Sequence, residues 1–298
     1  MTVILSLTPN QIAGLSTTAI QGLSTTDIQS LNTSQVAALT ATQVNVLNTT
    51  DIQAFFTTQV AALSPSIISA LLTLQIQNFT NTQVSALTAT QVSKLTAAEV
   101  GALTSTELQN LSTTQAGALT ATQIGTLSTT VLNNLSTTQI AALTTTQVQG
   151  LTTTQLNGIG TTSLDALIAS KLSTTQVGGL TTTTFGKLTA TQVSALTAAE
   201  IAVLSVAQLG QLTTTEISAL TSTQVGGLTS TQINGLTTPK FDALTSTTGI
   251  PSISVAAIAG LTTTEISSLT TTQGNAFTTT QIGAMSIAQL DALVTLVG

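Results

Sequence analysis

The chain has no cysteine, histidine, tryptophan, tyrosine or arginine, and each absence removes a class of function. Without cysteine there is no disulfide framework, so folding needs no oxidising compartment. Without cysteine and histidine the usual metal-ligand vocabulary is missing. Charged residues make up 5% of the 298, against about a quarter in ordinary globular chains, and aromatics make up 2%. What remains for chemistry is serine, threonine, ten carboxylates and four lysines, with no nucleophile–base or paired-carboxylate constellation among them. The chain reads as a non-enzyme, with no catalytic, cofactor-binding or metal-ligating residue assigned.

The net charge is −6, and Lys94, Lys171, Lys187 and Lys240 are too dispersed to neutralise a phosphate backbone. No aromatic pairs are available on which bases could stack, so nucleic acid is excluded as an expected partner. Mean hydropathy is positive, but the apolar residues are scattered among threonines. The richest stretch, Ile67 to Ile76, contains Ser, Thr and Gln. It falls well short of the ~20 apolar residues that span a bilayer, so no membrane span is expected. The opening MTVILSLTPNQ has no basic region, long apolar run or small-residue cleavage site, and it does not read as a signal peptide.

What is present is one phrase, repeated. From Leu7 a large apolar residue returns every eighth position through Leu15, Leu23, Leu31, Leu39, Leu47, Phe55, Leu63, Leu71, Phe79 and Leu87, and onward to Ile159 and Leu167. The register slips near 168–171, resumes from Leu172 to Leu244, is irregular over 245–260, and ends in Leu261, Leu269, Phe277, Met285 and Leu293. Residues 1–298 therefore read as a single repeat array with two register breaks. The consensus is Leu, Thr/Ser, any residue, Thr, Gln, Val/Ile, any residue, small. Position six is apolar at Ile12, Val36, Val44, Val84, Ile124, Val148, Val193, Ile233 and Ile282, enlarged at Phe185 and Phe241, and weak at Ala116 and Gly274.

An eight-residue period does not suit a continuous helix, because eight steps of 100° leave the leucine row 80° out of phase at each repeat. A β-strand keeps phase, and threonine favours strands, so a β-solenoid is the alternative fold. Yet strand alternation groups Leu with Gln on one face and needs a turn in every octad. A short helix per octad explains more of the pattern. Position two supplies an N-cap, and Gln three residues later completes a capping box. Leu before the cap and Val or Ile after the box partner form a hydrophobic staple. Asp27, Asp51, Glu99, Glu107, Glu200, Glu216 and Glu265 all replace that Gln, at the turn where a carboxylate also suits the helix dipole. Helices of about six residues cannot stand alone in water, so they must stack. The predicted fold is an all-α solenoid of short capped helices with a Leu/Val/Ile/Ala interior, in which small residues at position eight let consecutive helices approach.

Other features have plain readings. The threonines invite an ice-binding hypothesis, but they lie where caps and first-turn residues are needed. Asp165, Asp242 and Asp291 share position seven without a second carboxylate or a glycine-rich calcium loop, and read as solvated charge. Asn-x-Ser/Thr triplets at Asn32, Asn48, Asn78, Asn110 and Asn134 are what chance yields in so Thr-rich a chain. Gly249 and Pro251 read as a turn or bulge. Phe55, Phe79 and Phe277 substitute for core leucines, whereas Phe56 takes the cap position and marks an exposed apolar contact.

The repeated LTxTQVxAL phrase resembles the threonine-rich octapeptide tracts of large secreted or surface proteins of Gram-negative bacteria, of the adhesin and surface-layer kind. That resemblance implies an extracellular or cell-surface location, reached by type I export without a cleaved N-terminal signal. The apolar ending AQLDALVTLVG suits such export, although no glycine–aspartate calcium nonapeptides precede it. The expected function is structural: a homo-oligomer or homopolymer forming a filament, sheath or surface layer, with cell-surface components as further partners. The alternative is a binding module, such as an adhesin stalk or ice-binding solenoid. Candidate self-association residues are Phe56, Leu293, Val294, Leu296 and Val297, because an uncovered apolar surface invites a partner.

Overall fold

A computed structural model describes residues 3–298. Among the described residues there are 34 α-helices and three short 3-10 turns, and no strand. The all-α solenoid expected from the capping pattern is the fold, and the β-solenoid alternative is not.

The octad Leu143–Gly150 shows why. Thr144 is extended at φ −70°, ψ 162°, and the helix Thr145–Gly150 follows it. The Gln147 N–H donates to Thr144 Oγ1 at 3.2 Å, and the Thr144 N–H donates to Gln147 Oε1 at 2.8 Å. Two of the otherwise orphaned donors at the helix start are thereby satisfied. The helix stops at Leu151, which returns to extended backbone while its N–H donates to the Val148 carbonyl at 3.0 Å. Each leucine thus ends one helix and stands before the cap of the next. Apart from the eleven-residue Ile287–Val297, the α-helices are four to six residues long.

The chain divides into two units, Met1–Leu151 with Gly158–Ala166, and Thr152–Asn157 with Leu167–Gly298. Within each, a helix packs on the helix three octads further along. In the first unit Thr25–Ser30 meets Thr49–Ala54, and Ala121–Thr126 meets Thr145–Gly150. In the second, Ala198–Ala202 meets Ser222–Gly226, and Thr263–Ser268 meets Ile287–Val297. Each unit is a helical solenoid whose interior is the leucine row and the Val/Ile row, and Val36, Val60, Ile124 and Val225 are fully buried.

The small position-eight residues act between coils, not between consecutive helices as expected. A Cβ on Gly150 would stand 2.7 Å from the Ala121 carbonyl oxygen and 2.8 Å from its Cα. Gly227 meets Ala198, and Gly260 meets Ser230, in the same way. No glycine among the described residues has positive φ, so their smallness and not their backbone freedom is used.

The register breaks have local solutions. At the first, a 3-10 turn Ala169–Lys171 shortens the octad, burying Ala169 and leaving Ile168 exposed. At the second, the Thr245 hydroxyl accepts from the N–H groups of Thr248 and Gly249, both at 3.0 Å. That turn absorbs the extra residue and returns Ile250 and Ile253 to the core. Gly249 is required there, because a Cβ would lie 2.5 Å from the Thr245 nitrogen.

Candidate functional site

The most organised polar array in the molecule is internal. Glutamine at position five is buried at Gln35, Gln59, Gln91, Gln139, Gln208 and Gln281, among others. Its Oε1 belongs to the capping box of its own helix, and its Nε2 reaches the coil beneath. Gln139 accepts from the Ser136 N–H at 2.8 Å and donates to the carbonyls of Leu108 at 2.8 Å and Leu111 at 2.6 Å. The same two steps back, 31 and 28 residues, join Gln59 to Ile28 and Leu31, Gln91 to Val60 and Leu63, and Gln232 to Ile201 and Leu204. A 28-residue step is three and a half octads, which is how an eight-residue repeat comes to stack. The carbonyl 28 residues back is an orphan at the end of a short helix, while the one 31 back already accepts the N–H of the residue three further on and takes the amide as a second donor. A carboxamide has both an acceptor and two N–H donors, so one side chain closes the start of one helix and the end of another.

At three of the incomplete boxes, asparagine at position seven substitutes. Leu72 cannot cap, and its N–H donates instead to Asn45 Oδ1 at 3.1 Å, while Asn45 Nδ2 donates to the Ala70 carbonyl at 2.8 Å. Gly160, ahead of a helix with Ser163 at the box position, donates to Asn133 Oδ1 at 2.8 Å. Thr181, whose box position is Thr184, donates to Asn157 Oδ1 at 2.8 Å. Sequence reasoning found the capping role of glutamine but neither inter-coil role. The prevalence of Gln over Glu at position five was the available signal, since a cap alone tolerates Glu equally well.

The acidic substitutes expose the difference. Glu99, Glu107, Glu200 and Glu265 are buried, and each makes the box through Oε2 with the backbone N–H of its cap threonine. A carboxylate has no N–H for the coil beneath, and Oε1 of both Glu99 and Glu265 is buried without a partner. At the exposed Asp27 the Ser24 hydroxyl and N–H hold the carboxyl below the ordinary range. At Glu265 burial pushes the carboxyl up and the Asp242 charge adds to it, against the opposing bonds from the Thr262 N–H and hydroxyl.

The outer surface carries the remaining positions. Thr144, Thr145, Thr146 and Gln149 are exposed, but the Thr144 hydroxyl also donates to Gln147 Oε1 at 3.1 Å, so cap hydroxyls are committed inward. Of the residues expected to self-associate, Phe56 is 53% and Val294 65% exposed. Leu293 is buried, and Leu296 and Val297 are half-buried, all three beside Gly274. The weak position-six copy Gly274 is therefore the space the last helix fills. Leu72 at 56% and Leu74 at 60% add exposed apolar area where the repeat elsewhere carries hydroxyls, a departure visible in the sequence. Asp165 and Asp291 are exposed, and Asp242 accepts from the Ser268 hydroxyl at 2.6 Å. No group of three or more acidic residues able to hold a metal occurs among the described residues. An apolar crevice lined by Ala190, Val193, Thr215, Glu216 and Ala219 measures about 70 Å³, against the ~300–1,000 Å³ of small-molecule sites. No helix among the described residues is long and apolar enough to cross a membrane.

The chain is a threonine-rich repeat protein. The pattern of a family described as the ALTTAQ repeat matches residues 4–41, 125–153 and 201–238. No curated protein matches the chain. Among solved structures, that of the leucine-rich repeat-containing protein LegL7 from Legionella pneumophila is 13% identical, covering 95% of this chain and 89% of that one. Its TM-score of 0.17 is too low to bear on the fold.

Proposed function

We propose that the chain is a non-catalytic structural protein of the cell exterior that associates side by side into a filament, sheath or surface layer. The observation that supports this reading is where the polar groups go. The position-five amides and the cap hydroxyls are spent on bonds within the solenoid, and a monotonous Thr/Ser/Ala surface is left outside. Committed cap hydroxyls also count against an ice-binding face.

Lateral contact is the mode that the exposed apolar side chains support. At the last coil the helix Ile287–Val297 covers Gly274 with Leu293, Leu296 and Val297. The exposed side chains of Phe56, Leu72, Leu74 and Val294 are then the apolar contacts that lateral association would bury.

Sedimentation velocity and negative-stain electron microscopy across a concentration series test the reading. Ordered assemblies with lateral contacts are expected, and the combined F56S, L72T and L74S variant is expected to lose them while keeping its helical circular dichroism. Monomers at every concentration, or assemblies indifferent to these substitutions, would contradict it.

A further inference from the structure

Glu265 occupies a glutamine's place without a glutamine's donors. Its Oε2 takes the box role, accepting from the Thr262 N–H at 2.7 Å and the Thr262 hydroxyl at 2.9 Å. Its Oε1 is left on the side where a position-five glutamine presents Nε2 to the coil beneath, and it is buried with no partner. The ladder is intact in the coil beneath and in the octad that follows, whereas Ala257 holds the box position of the octad before. Gln232 donates to Ile201 and Leu204, and Gln273 donates to the carbonyls of Asp242 at 2.8 Å and Leu244 at 2.7 Å.

We propose that Glu265 is an acid-favoured latch: its carboxyl takes a proton from solvent on Oε1, and the resulting O–H donates to main-chain oxygen of the coil beneath, as a glutamine amide does. When the proton leaves, the helix Thr263–Ser268 loses that hold and faces the next coil with an uncompensated buried charge. A proton fits where a metal ion does not, because calcium needs about six to eight oxygens and the only side-chain carboxylate close by, Asp242, is engaged by Ser268. The charged groups on the elements packed against this helix are few. The helix Thr238–Phe241 brings Lys240, whose ammonium donates to the Gly210 carbonyl, and Asp242 directly after it. The helix Ile287–Val297 brings Asp291. Burial is the main influence that favours the protonated form, and of the charged groups Asp242 acts in the same direction.

The sign is that of a carboxyl raised by folding. Its stabilising contribution is complete below the unfolded value, about 4.3, and is lost as pH rises through the higher folded value. This inference is independent of how the chain associates.

The test compares the full chain with its E265Q and D242N variants, from acid to neutral pH, by thermal unfolding and by amide hydrogen exchange at Ile266 and Leu269. E265Q carries the consensus residue and is expected to exceed the wild type at neutral pH, by about 2–4 °C in Tm. The gap is expected to close on acidification, with wild-type exchange slowing towards that of the variant after correction for intrinsic rates. D242N is expected to move the wild-type transition to lower pH. Infrared difference spectra should show a protonated-carboxyl band lost in E265Q. A gap that does not change with pH, a wild type more stable than E265Q at neutral pH, or an unchanged transition in D242N would overturn the latch.

Discussion

At the scale of the residue, glutamine at position five decides whether one coil holds the next. Removing Gln139 to alanine leaves the Leu111 carbonyl and the Ser136 N–H without their partners and takes one of two donors from the Leu108 carbonyl, which keeps the Leu111 N–H, and each buried unsatisfied group costs about 1–3 kcal/mol. A loss of about 2–4 kcal/mol in local stability is expected, read as faster amide exchange in the helices 137–142 and 105–110. Leu72 offers the opposite experiment. Threonine there supplies the missing cap and a hydroxyl for Gln75 Oε1, which is buried and unpartnered, so Leu72→Thr should gain about 1 kcal/mol by denaturant unfolding. Asp27 sets an acid limit. Because Ser24 holds its carboxyl low, the bonds at that box are intact above the unfolded value, about 3.9, and are lost as pH falls through the lower folded one. Asp27→Asn should therefore remove the acid fraying of the helix Thr25–Ser30 that backbone NMR shifts would report in the wild type. The cap, box and staple were all legible in the sequence, since they lie within six consecutive residues. The second half of the glutamine's work was not, because its partners lie 28 and 31 residues away and periodicity alone does not say how many octads complete a coil.

At the scale of the element, a helix of four to six residues is stable only through what it touches, and the glycines show where coils come closest. One substitution should have opposite signs at two of them. Gly150→Ala drives a Cβ to within 2.7–2.8 Å of Ala121 in the neighbouring coil, and a loss of about 1–3 kcal/mol is expected. Gly101→Ala meets nothing within 4 Å inside the helix Ala97–Ala102, and a gain of about 0.5–1 kcal/mol is expected. Thermal melts of the two variants check both signs. The expectation that small residues let consecutive helices approach located the right position but the wrong neighbour. Position eight was recognisably small, yet the sequence carries no mark of which helix lies opposite until the coil length is known. The register breaks were legible as breaks, while their 3-10 solutions depend on Ala169, Thr245 and Gly249 fitting a coil already formed.

At the scale of the whole molecule, each unit is a lattice in which an eight-residue rule along the chain and a bonding rule across coils coincide in one side chain. Cooperativity should then follow nearest neighbours, as in other repeat arrays, with exchange protection falling around a broken rung and not throughout the unit. The candidate functional residues were legible only where they departed from the repeat, as Phe56 does, while Leu293 reads as exposed until the space at Gly274 is seen. Side-chain amide hydrogen exchange of the glutamines, measured by NMR on the intact chain, tests the central claim most directly. The Nε2 protons of Gln59, Gln91, Gln139, Gln224 and Gln281 should be strongly protected, and those of the exposed position-seven residues Gln29, Gln53, Gln109 and Gln149 should exchange freely. Equal, fast exchange of both sets would mean that position five only caps its own helix, and the inter-coil ladder would be wrong.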